Sequence, residues 1–228
     1  MKINPTKSKA VCFTRARVTE PLNYSLGGKV IPEASSCKYL GIILRSELSW
    51  SDQVNYTVKG AWKALHFTMR ILKKGNSKTK SLAYTSLVRL ILEYGAVCWD
   101  PCREGQINVL DRVQEKAAIF AHHRNESNWE TLTEHRKIAR ICALFKAYTG
   151  ERAWKAIGDR LETPFYLSRG DHGKKIRSRK QRTHIRKYSF VNRIIQLWNQ
   201  LPADALGTLS CKPSNFRQRV RKVINEAK

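Results

Sequence analysis

Over residues 1–50 the apolar positions fall in short runs of β-forming residues broken by turn residues, the pattern of strands. Ala10–Thr14 predicts a first strand. Asn23–Leu26 and Lys29–Pro32 flank Gly27-Gly28, a strong hairpin signal, and Tyr39–Leu44 predicts a further strand. These runs are expected to form a small, mostly antiparallel sheet. After Trp50 the period becomes helical. Val54, Val58, Trp62, Leu65, Met69 and Leu72 follow at steps of 4, 4, 3, 4 and 3, which draws one apolar stripe. Ser51 and Asp52 offer N-cap chemistry, and Gly75-Asn76 a stop. A second helix is predicted over about 78–94, with Ala83, Leu87, Leu90, Ile91 and Tyr94 inward. A third spans about 104–122, using Ile107, Leu110, Val113, Ala117 and Phe120. A fourth spans about 129–148, using Leu132, Ile138, Ile141, Phe145 and Tyr148. Short connections make an antiparallel helical bundle the natural packing.

The pattern then breaks. Thr163–Gly173 holds Pro164, Gly170 and Gly173 and leads into KKIRSRKQRTHIRK at 174–187, with eight cations and no acid. A helix over about 189–200 follows, with Phe190, Ile194, Leu197 and Trp198 apolar, and Pro202 stops it. Pro213-Ser214 opens a last helix whose stripe is Phe216, Val220 and Val223. The expected fold is therefore α+β, predominantly α. A small N-terminal antiparallel β-sheet precedes an antiparallel helical bundle and a basic C-terminal helical segment. The expected units are residues 1–50, 51–160, a basic linker at 161–187, and 188–228.

Charge adds a partner to this picture. Among 228 residues, 43 Lys and Arg oppose 18 Asp and Glu, a net charge of +25 that makes a polyanion the default partner. Nucleic acid is expected rather than a membrane, since no run approaches the ~20 apolar residues of a span. In the basic run, Lys174, Lys175, Arg177, Arg179, Lys180, Arg182, Arg186 and Lys187 are candidate phosphate contacts, and the arginines can grip phosphate bidentately. A solvated linker or a nuclear-localisation signal would read the same way. No aromatic residue interrupts the run before Tyr188, so base stacking is not its obvious mode.

The other candidate chemistry is thin. Six scattered cysteines within apolar periodicity read as reduced thiols, and the N-terminus shows no secretory pattern. An intracellular location is expected, nuclear or cytoplasmic alike. Cys98, Cys102, His122 and His123 lack zinc-site spacing, so no metal site is expected. Trp62, Trp99, Trp129, Trp154 and Trp198 sit on helical faces or at helix ends, where core packing explains them.

Several short segments occur in a telling order. They are Asn4-Pro5 with Lys7-Ser8, Tyr39-Leu40-Gly41, Leu92-Glu93-Tyr94-Gly95 with Trp99 and Pro101, and Val113-Gln114 with Ala117 and Ala118. Tyr188-Ser189-Phe190, Trp198-Asn199-Gln200-Leu201-Pro202 and Phe216-Arg217 complete the series. Together they resemble the reverse transcriptases of non-LTR retrotransposons, downstream of the catalytic aspartates. The resemblance implies that 1–50 is the distal palm, 51–160 a thumb, and the remainder a basic C-terminal extension. It implies that Lys7 lies near the polymerase site, placed against the departing pyrophosphate, and that Tyr39, Leu40 and Gly41 form a hairpin holding the primer end. A core strand with a bulge is the plainer reading of that hairpin.

Two-metal phosphoryl transfer needs paired carboxylates, and this sequence has neither a Y/F-x-D-D motif nor two adjacent acids. The resemblance places the family's aspartates before residue 1. No cofactor is then expected in this chain, although Mg²⁺ serves the intact family enzyme, and no small-molecule substrate is expected. The expected function is a nucleic-acid grip, inactive alone as an RNA-directed DNA polymerase. Alternatives are a domesticated host nucleic-acid-binding protein and, further off, a basic structural component of a ribonucleoprotein.

Overall fold

The computed structural model describes residues 4–13, 23–121, 129–150, 161–169, 171–178, 180, 182–183, 187–207 and 211–226. The fold is α+β and mostly α, with two small antiparallel hairpins ahead of the helices. Strands β1 (Tyr24–Leu26) and β2 (Lys29–Ile31) pair across Gly27-Gly28, where both glycines have positive φ. The expected strand at Ala10–Thr14 reduces to a single bridge. Ala10 pairs with Glu33, and its amide and carbonyl meet Pro32 and Ala34; Thr14 lies outside the described residues. The expected strand Tyr39–Leu44 is instead two, β3 (Ser36–Tyr39) and β4 (Ile42–Arg45), folded back on each other at Leu40-Gly41. The hairpins form two separate sheets rather than one.

Helix α1 (Ser51–Ile71) buries Val54, Val58 and Leu65 of its predicted stripe together with Ala61, while Trp62, Met69 and Leu72 of the stripe are half-buried. Ser51 and Asp52 do not cap it: Trp50 is the N-cap residue, and Asp52 pairs with Arg45 of β4 at 3.1 Å. Buried Gln53 accepts the Ile43 amide at 2.8 Å and donates to Thr57, fastening β4 onto α1.

The second predicted helix carries the main revision. It consists of α2 (Ser77–Ala83), a π-helical turn at Tyr84–Val88, and α3 (Arg89–Glu93). Lys80, Tyr84, Val88 and Leu92 are buried, four residues apart, while Leu87, Leu90 and Tyr94 face outward. A four-residue step overshoots an α turn and falls short of the wider π turn, so the two in succession keep these positions on one face.

Helix α4 (Glu104–Phe120) buries Leu110, Val113 and Ala117. Gln114 accepts a hydrogen bond from the Tyr84 hydroxyl and donates to the Glu130 carbonyl. Trp129, expected inside the next helix, precedes it and stacks on Tyr84 at 4.6 Å. Helix α5 (Leu132–Tyr148) opens with a capping box between Thr131 and Glu134, which satisfies two first-turn amides.

Helix α5 joins two hydrophobic cores. Leu132 packs with α1, the π turn and α4. Ile138, Ile141, Leu144 and Phe145 pack with Ile176, α6 (Phe190–Asn199), α7 (Ala203–Leu206) and α8 (Pro213–Glu226). Phe145 stacks on Phe216 at 4.1 Å, and Trp198 adjoins that pair.

The same helix carries unexpected buried charge. Arg136 and Arg140, both 3% exposed, point at Asp100 in the loop before α4. Asp100 accepts from Arg140 at 2.6 Å, Arg136 at 3.4 Å and Arg193 of α6 at 2.6 Å. Arg136 also donates to the carbonyls of Leu92 and Trp99, so the carboxylate and two peptide oxygens offset its desolvation. Burial pushes the Arg136 and Arg140 pKa values down, Arg140 to about 10, with Asp100 opposing the shift.

Candidate nucleic-acid interface

The turn Tyr39-Leu40-Gly41 is a tight hairpin tip. Leu40 and Gly41 both have positive φ, 46° and 81°, which gives a two-residue turn the strand-matching twist. Leucine is uncommon there, while glycine is at ease. Tyr39 and Leu40 are 66% and 72% exposed, so this segment is a presented turn rather than a core strand.

The tip is held from behind by Tyr94. The Tyr94 hydroxyl donates to the Leu40 carbonyl at 3.0 Å, and a Cβ at Gly41 would lie 3.0 Å from its ring. Gly95 has a φ of 64°, and a Cβ there would come within 2.9 Å of Ile42. The Trp99 indole donates to the Tyr94 carbonyl at 2.8 Å. Two sequence segments more than fifty positions apart thus lock into one unit. Beside the tip, Lys38 reaches α1, donating to the Tyr56 hydroxyl at 2.8 Å.

That contact leads to a surface the sequence reading passed over. Residues 53–92 contain Lys59, Lys63, Arg70, Lys73, Lys74, Lys78, Lys80 and Arg89 but no acid. On α1, Tyr56, Lys59, Lys63, Phe67 and Arg70 succeed one another at steps of 3, 4, 4 and 3, so they share one helix face. All five are exposed. Cations interleaved with aromatic rings suit a phosphate-lined strand that also offers base faces. The acid-free stretch was the signal available in the sequence. Lys80 stands apart from this face, buried over the Phe120 ring.

The basic run is divided by its partners. Ile176 is 1% exposed in the second core. The Asn199 side chain accepts the Ile176 amide at 2.9 Å and donates to its carbonyl at 2.7 Å, while the Trp198 indole donates to the Lys174 carbonyl. The W-N pair is therefore a clamp on the chain at 174–176. Lys174 donates to the Gly207 carbonyl, Lys175 pairs with Asp171, and Arg177 pairs with Glu162 and lies 4.2 Å from the Phe165 ring. The Lys175 ammonium, followed by hydrogen bonds from Ser168, holds the Asp171 carboxyl down to about 2. Lys180, Arg182 and Lys187 are exposed; Arg179 and Arg186 lie outside the described residues. Lys7 is exposed at the end of a short 3-10 turn, Pro5–Lys7, which packs beside β2. Among the described residues, no hydrogen bond or ion pair joins Lys7 to the hairpin tip or the basic run.

No helix among the described residues is long and apolar enough to cross a membrane. No family model and no solved structure matches the chain. Curated relatives do. Over 123 residues it is 27% identical to "Probable RNA-directed DNA polymerase from transposon BS" of Drosophila melanogaster. Over 119 residues it is 29% identical to "Probable RNA-directed DNA polymerase from transposon X-element" of the same fly. Each match covers 51% of this chain and 13% of the relative, so the chain spans only a small part of the proteins it resembles. Half of this chain is thus similar to a region of non-LTR transposon reverse transcriptases, in line with the motif resemblance.

Proposed function

We propose that this chain is the template–primer grip of a transposon RNA-directed DNA polymerase, and that it does not polymerise by itself. The observation that carries the reading is the acid-free, exposed face of α1 running from the buttressed hairpin tip. A duplex laid along that face would meet Lys59, Lys63 and Arg70 as phosphate contacts. Tyr39 and Leu40 would stand at one end, where a strand terminus can be steadied. The exposed cations of the basic run, Lys180, Arg182 and Lys187, would extend the field. Such contacts position a nucleic acid without reading its sequence, and each releases counterions. With no adjacent acids to hold two metal ions, the chain lacks the carboxylate pair the polymerase reaction uses.

Titration of the full chain with a primed template at several salt concentrations tests the grip. Wild type is expected to bind with a steep salt dependence. The variant K59E/K63E/R70E should bind weakly, with the log–log salt slope reduced by about one unit per cation lost. Equal affinity and slope in the two proteins would refute the assignment to α1. With deoxynucleotides and Mg²⁺, no primer extension is expected from either protein.

A further inference from the structure

A cleft of about 390 Å³ opens where the β3–β4 hairpin, the loop before α4 and the start of α6 meet. Its apolar walls include Phe13, Trp50 and Phe190, and the exposed thiol of Cys98 also lines it. Leu48 lines it as well, 47% exposed and held at a φ of 57°. Left-handed backbone at an exposed leucine is strain of the kind retained at binding sites. Cations line the remainder: Arg45, paired with Glu47 and Asp52, then Arg103 at the N-terminus of α4, and Arg140 and Arg193. These last two share the single carboxylate of Asp100 with Arg136. Along the cleft, Arg103, Arg140 and Arg193 against the single carboxylate of Asp100 leave an excess of two positive charges beside an aromatic-walled hollow. That combination calls for a flat aromatic body joined to an anion.

We infer that the cleft takes one unpaired nucleotide of a single strand, its base among the aromatic walls and its phosphate against Arg103, Arg140 and Arg193. The inference rests on the grip reading and deepens it: the chain distinguishes duplex with a single-stranded tail from blunt duplex. A paired base cannot enter, since it would first have to leave its stack. The volume falls in the range of sites for small ligands.

The experiment compares the full-length chain on a blunt duplex and on the same duplex with a short single-stranded tail. Wild type should prefer the tailed duplex by roughly fivefold or more, the effect of stacking one base. The variant C98W fills the cleft from an exposed position, and R103E reverses its charge where a helix N-terminus favours a carboxylate. Both should lose the preference and keep wild-type affinity for blunt duplex. No preference in wild type, or its survival in both variants, overturns the inference. Saturation-transfer NMR with adenosine monophosphate separates this result from failure of the grip. Transfer to the base protons in wild type but not in C98W supports the cleft even if no duplex binds. Displacement of the nucleotide by equimolar inorganic phosphate would reduce the site to an anion pocket and overturn it.

Discussion

Asp100 shows how much one carboxylate can organise. It gathers Arg136 and Arg140 from α5 and Arg193 from α6, so the loop before α4 is tied to two helices that follow it. Replacing Asp100 with Asn keeps the shape and removes the charge, leaving buried guanidinium groups facing one another. Loss of a partner from a buried ion pair costs about 3 kcal/mol. D100N is therefore expected to lower the unfolding free energy by that amount, read as a lower urea midpoint with an unchanged slope, while D204N at a distant acid stays near wild type. None of this was legible in the sequence. The acids looked isolated because the arginines that meet Asp100 lie 36 to 93 positions further on.

At the scale of elements, legibility followed locality. The Gly27-Gly28 turn, the α1 stripe and the Pro202 stop depend on neighbours in the chain, and the structure places each where the pattern does. The π turn escaped because apolar residues at four-residue steps fit either geometry: 83, 87 and 91 as an α-helical stripe, or 84, 88 and 92 across a π turn. The candidate site divided along the same line. The hairpin tip was found through a motif, but the Tyr94 buttress and the Trp198–Asn199 clamp depend on folding and could not be read beforehand. The two hairpins bury no residue fully, whereas α1, α4 and α5 each contribute to a core. Amide hydrogen exchange is accordingly expected to be faster in β1–β4 than in those helices, and slowest exchange in the hairpins would contradict this packing.

At the scale of the whole molecule, α5 makes the two cores interdependent. His135 sits at the junction, 5% exposed, with Glu93 of α3 at 3.5 Å and Glu130 at 3.1 Å. Those acids pair in turn with Arg89 and with Arg221 of α8. Burial pushes the His135 pKa down; Glu93 pulls it back and Arg89 adds to the lowering. A histidine whose folded pKa lies below its unfolded value contributes full stability above about pH 6.5, and loses it as the pH falls through the folded value, because the unfolded chain takes up the proton first. Wild type should lose more stability than H135Q between pH 7 and pH 5, as followed by thermal melting. Parallel melting curves for the two proteins across that range would show that His135 takes no part.

The π turn also has a meaning for the history of the chain. A π turn is one residue more than an α-helix needs, so losing any residue from Tyr84–Val88 would restore a continuous α-helix. Five residues in π geometry sweep nearly the same angle as four in α geometry, so Leu92 would stay in the core and the tyrosine that backs the hairpin tip would stay at the Leu40 carbonyl. A deletion within α3 instead would turn that tyrosine away by about 100°. The π turn is thus a place where the chain can give up a residue and keep the buttress.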